Sequence, residues 1–325
     1  MNWKLKAIIQ NLISQLPTTA SYDAYYWMQR NFGGLRRVNP KRGLIAGVDT
    51  WKQIQKQNHD PSGKRFFEIG TGRVPLVPLA FWLLGAESTN TIDLNPYLKE
   101  ELIVENLRFI SEHEEDILSI FGSMIDKRRF ADLLNLSKKN SLSASDFLDM
   151  CHISYIAPGD AANTGFPDKH VDFQVSYEVF EHIPRKILTN ILKEGDRIIK
   201  DDGLLVNYID YSDHFCHSDG NISAINFLKY DDNEWIKYAG NKYMYMNRLR
   251  HDDFLSLYES IGLDILGVEI YRDPRSEGIL SEKDFRLDVK FSSKPKEILA
   301  IIGSWIIAKK SYRNNFGQTG RAPCV

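Results

Sequence analysis

Short apolar segments alternate with helical segments over most of the chain, and a turn or an acidic residue follows several of the apolar segments. Short apolar runs predict buried strands, whereas apolar residues three and four positions apart predict helices. Seven strands are predicted: Phe66 to Ile69, a segment ending at Asp93, a segment before Asp160, a segment around Phe173, GLLVNYID at 203–210, IGLDILGVEIYRD, and GSWIIAKKS at 303–311. Strands separated by helices in this way predict an α/β sheet.

Residues 1–60 precede the first predicted strand and are helical in pattern. The N-terminal segment MNWKLKAIIQNLISQLP mixes apolar residues with Lys and Gln, so it predicts an amphipathic helix and no membrane span. It would pack on this domain or on a partner chain; binding at a membrane interface would need more basic residues. An aromatic cluster follows at Tyr22, Tyr25, Tyr26, Trp27 and Phe32. We interpret 1–60 as a helical cap that either contacts substrate or packs on the core.

The remainder is predicted to form one domain, residues 61–311, followed by a flexible tail at 312–325. Residues 102–145 are helical in pattern and exceed a simple crossover, so they predict a helical insertion. Residues 211–255 follow the fifth strand and are predicted to face the substrate, and a polar helical connection is expected at 282–299.

The composition favours a globular enzyme over a protein that binds polyanions. The chain has 325 residues, of which 43% are hydrophobic and 26% charged, and its formal net charge is −2. A large core is therefore possible, and the basic balance that drives phosphate binding is missing, so no nucleic-acid partner is expected. Three widely spaced cysteines predict neither a disulfide framework nor a zinc site, which fits a reducing cytoplasm.

The turn after the first strand carries the main chemical signal. Gly70 and Gly72 permit a tight turn in which backbone N–H groups approach a ligand, and Asp93, at the end of the second strand, can accept hydrogen bonds from ribose hydroxyls. A dinucleotide site prefers G-x-G-x-x-G, and the third glycine is replaced here by Pro75. Glu68 would repel a pyrophosphate but suits a cofactor with an ammonium and a sulfonium. These residues favour S-adenosylmethionine.

Four motifs in order make residues 64–210 resemble the class I S-adenosylmethionine-dependent methyltransferases. They are Glu68-Ile69-Gly70-Thr71-Gly72, the acid at Asp93, the pair Asp160-Ala161, and a fourth strand followed by Glu181-His182-Ile183. The resemblance implies a Rossmann-like, doubly wound sheet of seven strands, mostly parallel, with strand seven antiparallel between strands five and six.

The resemblance also assigns residues to the cofactor. Gly70 and Gly72 would approach its methionine part and Tyr177 would line that end, Asp93 would bind the ribose, and Asp160 with Ala161 would hold the adenine. Thr71 and Leu94 belong to the same predicted pocket. Tyr177 departs from the family, which more often has Asn, Asp or a small residue there.

The polar segment after the fifth strand supplies candidate catalytic residues. His214 and His217, with Asp213, lie where ligands bind in open α/β sheets, and histidine is the natural base near neutral pH. Either imidazole could instead be structural. A metal site at His214-x-x-His217 is not expected, because two histidines in an irregular loop do not fix a ligand geometry. Further along, Tyr243, Tyr245, Asn247, Arg248 and Arg250 either contact the acceptor or belong to a surface helix.

The predicted function is transfer of a methyl group to an oxygen of a small or conjugated hydroxylated acceptor such as a sugar, glycolipid or secondary metabolite. Nitrogen is an alternative acceptor atom. A nicotinamide-dependent oxidoreductase is the alternative enzyme class, and a noncatalytic methyltransferase-like subunit is a third possibility. The oligomeric state stays open.

Overall fold

The computed structural model describes residues 1–139, 141–282 and 284–311. The strands are β1 (Arg65–Ile69), β2 (Ser88–Ile92), β3 (Ile153–Ile156), β4 (Val171–Tyr177), β5 (Ile199–Asp210), β6 (Leu263–Arg272) and β7 (Ile301–Lys310). The helices are α1 (Trp3–Ser14), α2 (Thr18–Phe32), α3 (Lys41–Lys56), α4 (Leu76–Leu83), α5 (Glu100–Glu112), α6 (Glu114–Phe121), α7 (Lys127–Ser137), α8 (Ala144–Met150), α9 (Arg185–Ile198), α10 (Asp232–Ala239), α11 (His251–Ser260), α12 (Pro274–Ser281) and α13 (Lys296–Leu299). The predicted tail at 312–325 lies outside the described residues.

The seven strands form one sheet in the order β3-β2-β1-β4-β5-β7-β6. Neighbouring strands from β3 to β5 are parallel, and β7 is antiparallel to both β5 and β6. The predicted fold class is therefore confirmed, including the placement of strand seven. Because parallel strands share a carboxyl edge, the residues after β1, β2, β3, β4 and β5 meet on one side of the sheet.

Both faces of the sheet are covered by apolar packing. On one face, Phe66 and Phe173 pack with residues of α3 to α8. On the other face, Phe67 and Leu205 pack with residues of α9 and α11. The second half of β5 reads as a nearly continuous apolar run, as expected for a strand buried on both faces, whereas β4 alternates its apolar residues with the buried polar residues Asp172, Gln174 and Ser176.

The segment around α1 forms a third cluster. Trp3 and Ala7 are buried against Phe215 and Trp235, so α1 packs on the same chain. Its other side carries exposed apolar residues at Leu5, Ile8 and Leu12. Within the described residues, no helix has the length and apolar character needed to span a bilayer.

The predicted helical connection at 282–299 is wrong in position. The longer helix, α12, lies before it, because Pro274 occupies the first helical turn and the Asp273 carboxylate accepts hydrogen bonds from the amides of Arg275 and Ser276. Within 282–299 the described residues contain only one short 3₁₀ turn and α13. The N-cap residue Asp273, followed by Pro274, marks the start of α12 in the sequence, and apolar periodicity alone does not show it.

Arg248 and Arg250 belong to the core and not to an acceptor site. Arg250 is fully buried and donates hydrogen bonds to the carbonyl oxygens of Tyr211, Leu299 and Ile301 at 2.7, 2.8 and 2.5 Å. Arg248 is also buried and binds backbone carbonyls and Asp232. Both guanidinium groups are thus engaged in holding loops together, which corrects the prediction that they contact the acceptor.

Candidate cofactor and acceptor site

The turn after β1 has the backbone that its glycines predict. Gly70 and Gly72 have φ angles of +92° and +67°, which favour glycine. A Cβ atom on Gly70 would lie 2.4 Å from Cγ2 of Val179, whereas a Cβ on Gly72 would meet nothing within 4 Å. Gly70 is therefore packed against the loop after β4, and Gly72 borders open space.

Asp93 ties the second strand to this turn. Its Oδ2 accepts a hydrogen bond from the Gly72 amide at 3.0 Å, and its Oδ1 accepts one from the Asn95 amide at 3.2 Å. Burial raises the pKa of Asp93 in spite of these amide bonds. Each carboxylate oxygen keeps a second lone pair for a ligand hydroxyl. Leu94, next in sequence, has 74% of its surface exposed and offers an apolar wall at the same edge.

Glu68 is buried beneath the turn. Its Oε2 accepts a hydrogen bond from Thr91 Oγ1 at 2.5 Å, and Thr91 Oγ1 lies 2.6 Å from Thr71 Oγ1. Desolvation raises the pKa of Glu68 to about 8, with the nearby Asp93 carboxylate adding to the shift. A cation placed above the turn would favour the ionised form of this carboxyl.

The pair predicted for the adenine lies at the same edge. The Gly159 amide donates a hydrogen bond to the Asp93 carbonyl oxygen at 2.9 Å, which anchors the segment after β3 beside Asp93. Asp160 follows and is exposed, with Oδ1 accepting a hydrogen bond from the Ala162 amide at 2.8 Å. Ala161 is buried. The structure thus brings Glu68, Gly70, Thr71, Gly72, Asp93, Leu94, Asp160 and Ala161 to one edge of the sheet.

Tyr177 stands apart from that group. It is the last residue of β4, and its ring stacks on Tyr208 with a centroid distance of 4.7 Å and packs edge-on against Trp305. Burial raises its pKa. The ring is therefore used for packing on a sheet face, and its assignment to the methionine end of the cofactor stays a prediction.

Five titratable side chains meet beyond the ends of β4 and β5. We call Glu181, His182, Asp210, His214 and His217 the acid–imidazole cluster. His214 Nε2 lies 3.3 Å from Asp210 Oδ2 and 4.0 Å from Glu181 Oε1, and His217 Nε2 lies 3.9 Å from Asp210 Oδ2. The ring of His214 packs between His182 and His217, with centroid distances of 4.8 and 5.1 Å.

Burial sets the charge state of this cluster. Desolvation lowers the pKa of His182 to about 4 and also lowers the pKa of His217, and in both cases the neighbouring His214 ring acts in the same direction. Burial opposes ionisation of Asp210, but His214 and the Ser212 amide outweigh it and lower the Asp210 pKa. Desolvation and the Asp210 charge raise the pKa of Glu181 well above its usual value. His217, with 48% of its side chain exposed, is the member most open to a ligand.

Asp213 does not join the cluster. It is fully buried, and its two oxygens accept hydrogen bonds from the Phe215 amide at 2.9 Å and the Asn226 side chain at 3.0 Å. Desolvation raises its pKa to about 6. Asp213 therefore shapes the loop, and its assignment as a catalytic residue stays a prediction, whereas the acid beside the two imidazoles is Asp210.

The sequence analysis predicted neither Glu181 nor Asp210 as a site residue, although both lie beside the imidazoles. Glu181 had been noted only as part of a family-like motif, and Asp210 only as the end of the fifth strand. Each lies just beyond or at the carboxyl end of a buried strand, which is where ligand-binding residues of parallel sheets concentrate. Applying that rule to β4 and β5, as it was applied to β1 and β2, would have found them.

Helix α2 lies over the segment that follows β2. Tyr22 donates a hydrogen bond to Asn95 at 3.2 Å, and Tyr26 donates one to Glu101 at 2.7 Å. Arg30 forms a two-pronged ion pair with Glu105 at 2.6 and 2.8 Å. These contacts hold α2 next to the residues that carry Asp93.

The aromatic residues of α2 also contact the turn and the loop before α11. The Arg73 guanidinium lies 4.7 Å from the ring centre of Tyr26. The ring of Tyr25 stacks on Tyr243 at 3.9 Å. Helix α2 therefore connects the glycine turn with the segment leading to α11.

Comparison with known proteins agrees with this geometry. The family model described as "Methyltransferase domain" matches residues 132–207, which include β3, β4 and most of β5. The search of curated proteins found no match.

Solved structures similar to this chain include three methyltransferases. A putative methyltransferase from Bacillus halodurans is 15% identical, covering 81% of this chain and 98% of its own, with a TM-score of 0.42. An S-adenosylmethionine-dependent methyltransferase from Methanosarcina mazei is 14% identical, covering 79% and 96%, with a TM-score of 0.42. Magnesium protoporphyrin IX methyltransferase from Synechocystis, solved with S-adenosylhomocysteine, is 11% identical, covering 94% and 99%, with a TM-score of 0.44.

The motifs around the glycine turn predicted a methyltransferase fold. The strand order agrees with that prediction, since β7 lies antiparallel between β5 and β6, and so does the matched methyltransferase domain. Residues 132–207 thus match a methyltransferase domain, and the seven-stranded sheet has the strand order expected for the class I methyltransferases, whose cofactor is S-adenosylmethionine.

Proposed function

We propose that this enzyme methylates a hydroxyl oxygen of a small or conjugated acceptor, such as a sugar, a glycolipid or a secondary metabolite. The observation that carries the proposal is the acid–imidazole cluster beside the glycine turn. An oxygen nucleophile must lose its proton during transfer, and a partly exposed imidazole with a low pKa is suited to accept it near neutral pH.

Open space and polar groups at the carboxyl edge of the sheet support the assignment of S-adenosylmethionine to this site. The open space beside Gly72, the carboxylate of Asp93 and the exposed side chain of Leu94 fit the methionine part, the ribose and the base of a nucleoside cofactor. Glu68 lies beneath, where its carboxyl would ionise next to a cationic group. When bound, S-adenosylmethionine supplies an electrophilic methyl group on a sulfonium.

The acceptor side is assigned to the loops after β4 and β5. Val179, which contacts Gly70, is two positions before Glu181 in the same loop, so the cluster lies close to the predicted methionine end. His217 Nε2 lies 3.2 Å from Ser212 Oγ and 3.9 Å from Asp210 Oδ2. In the proposed step, His217 takes the hydroxyl proton and Asp210 stabilises the imidazolium that forms.

Residues 1–60 act in this proposal as the cap that selects the acceptor. The contacts of α2 with Asn95, Arg73 and Tyr243 support this role, because they hold aromatic side chains against both predicted halves of the site. The predicted cytoplasmic location is part of the same proposal, and the free thiols of Cys151 and Cys216 agree with a reducing compartment.

The test is methyl transfer from radiolabelled S-adenosylmethionine to matched acceptors that differ only in the receiving atom, such as a phenol and its aniline, or a sugar and its amino sugar. We expect incorporation into the hydroxylated member of each pair. Incorporation only into the amines would contradict the proposal. Before this assay, the protein is titrated with S-adenosylmethionine, S-adenosylhomocysteine and NADH. Binding of the first two but not of NADH is expected and verifies that the protein is folded.

A further inference from the structure

Glu181 is a buried carboxyl group inside the acid–imidazole cluster, and its charge is not compensated by hydrogen bonds within the described part of the chain. The residue is 2% exposed, and neither carboxylate oxygen has a hydrogen-bond partner among the described residues. The Asp210 carboxylate lies nearby and is itself largely buried. Burying a carboxyl group without a partner is costly, and proteins normally compensate it with a cation or hydrogen bonds.

The imidazoles around Glu181 are oriented like metal ligands. His182 Nδ1 lies 2.8 Å from the carbonyl oxygen of Tyr245, which can only accept, so Nδ1 carries the proton and the lone pair is on Nε2. Metal-binding histidines are commonly fixed in this way by a backbone carbonyl. His214 Nε2 is buried and lies between two carboxylates, 3.3 Å from Asp210 Oδ2 and 4.0 Å from Glu181 Oε1, with hydrogen-bond geometry to neither.

The spacing of the donor atoms suits a single ion. One carboxylate oxygen of Glu181 and one ring nitrogen each of His182 and His214 lie within 4.8 Å of one another. The separations of 4.0 Å from His214 Nε2 to Glu181 Oε1 and 3.3 Å to Asp210 Oδ2 match ligands on opposite and adjacent sides of an ion with bonds of about 2.1 Å.

We propose that Glu181, His182, Asp210 and His214 bind one divalent transition-metal ion. Two imidazole nitrogens and two carboxylate oxygens favour zinc, iron(II) or manganese over magnesium or calcium, which prefer oxygen ligands alone. The expectation that no metal binds rested on His214-x-x-His217 alone. In the structure the loop after β4 also brings Glu181 and His182 to His214.

The ion has a role in methyl transfer that rests on the proposed function. A bound metal lowers the pKa of a hydroxyl group that coordinates it. An acceptor hydroxyl on the ion would lie near His217, which stays outside the ligand set and takes the proton. The preferred acceptor would then carry two neighbouring oxygen atoms that can chelate the ion.

Metal binding is tested without any acceptor, so its failure is separate from failure of the proposed function. Protein treated with a chelator is titrated calorimetrically with zinc, manganese and magnesium chlorides, and metal content is measured after dialysis. We expect one equivalent of zinc or manganese and a rise of the melting temperature on binding, with magnesium at least tenfold weaker. Absence of a stoichiometric transition metal under all these conditions overturns the inference.

Two ligand variants and two matched controls assign the site. Glu181→Gln and His214→Ala are expected to weaken zinc binding at least tenfold. Glu178→Gln is the control in the same loop, because its carboxylate binds Arg42 at 2.6 Å instead of facing the cluster. His113→Ala, on the exposed end of α5, controls for loss of a surface imidazole. Wild-type affinity in both ligand variants would overturn the assignment, and retained binding of S-adenosylmethionine verifies that each variant is folded.

Discussion

A methyl group on Gly70 would lie 2.4 Å from Cγ2 of Val179, so the turn after β1 and the loop after β4 meet without room for a side chain. The first element is predicted to hold the cofactor, and the second leads to the acid–imidazole cluster. In the proposed function, packing between them would fix the distance between the methyl donor and the acceptor, which in-line displacement requires.

Gly70→Ala should therefore lower both stability and activity. Overpacking against Val179 and the φ of +92° together are expected to reduce the free energy of unfolding by about 2–4 kcal/mol. Urea denaturation measures the loss. Gly63→Ala is the matched control, since Gly63 has a φ of +66° but nothing within 4 Å of its Cβ position, and it should lose only about 1 kcal/mol. Equal losses in the two variants would show that contact with Val179 is unimportant.

Asp93→Ala should weaken binding of S-adenosylmethionine by at least about tenfold, because the carboxylate both shapes the turn through Gly72 and faces the predicted ribose position. Calorimetric titration measures the affinity. Asp60→Ala removes a similar hydrogen bond, which the Ser62 amide donates to the Asp60 carboxylate on an exposed loop, and should leave the affinity unchanged. Unchanged affinity in Asp93→Ala would remove the ribose assignment.

The raised pKa of Glu68 predicts how affinity depends on pH. The free protein holds this carboxyl largely protonated below about pH 8, whereas a bound sulfonium favours its ionised form. Affinity for S-adenosylmethionine relative to S-adenosylhomocysteine, which lacks that charge, should rise between pH 6 and 8, because ionisation becomes less costly as the pH approaches the pKa.

Glu68→Gln provides the test, because an amide keeps the shape and the hydrogen bond from Thr91 but cannot ionise. The ratio of the two affinities should become independent of pH in this variant. If the ratio of the affinities for S-adenosylmethionine and S-adenosylhomocysteine is constant from pH 6 to 8 in the wild-type protein, ionisation of Glu68 is not coupled to the sulfonium charge. Glu112→Gln, on the exposed surface of α5, controls for a general change of charge.

His217→Ala should slow methyl transfer by about 10²–10⁴-fold while leaving cofactor affinity intact, since the imidazole is proposed as a general base. Burial lowers the pKa of His217 below 6.5, and a base acts in its neutral form. The wild-type rate should therefore rise with pH on the acid side and reach its plateau at a lower pH than an exposed imidazole would give. The variant should lack this rise in its residual activity. A purely structural imidazole would lower the rate and leave the shape of the profile unchanged.

The sequence predicted the fold well because its evidence was local. Buried runs such as Phe66 to Ile69, and the Gly70 turn, depend on residues adjacent in the chain, and the strand order followed from the family resemblance. The predicted cofactor-binding residues could also be found from the sequence, since a single strand–turn–helix–strand unit brings Gly72 and Asp93 together.

The acceptor side was harder because it depends on contacts between distant segments. Asp213 was chosen as catalytic for its position beside His214, but a turn directs its carboxylate into the core towards Asn226. Asp210 and Glu181 face the imidazoles instead. Polarity of a loop indicates that it has a function, but it does not indicate which way each side chain points.

The position of β7 has a consequence for the order in which the molecule is made. Among the described residues, β6 pairs only with β7, and β7 also covers the edge of β5. As the ribosome releases the chain from the N-terminus, β6 emerges with no strand to join, and β5 presents an open edge until Ile301–Lys310 follows. The cofactor half of the sheet can assemble during synthesis, whereas the half that carries Asp210 becomes closed only when the last strand is available.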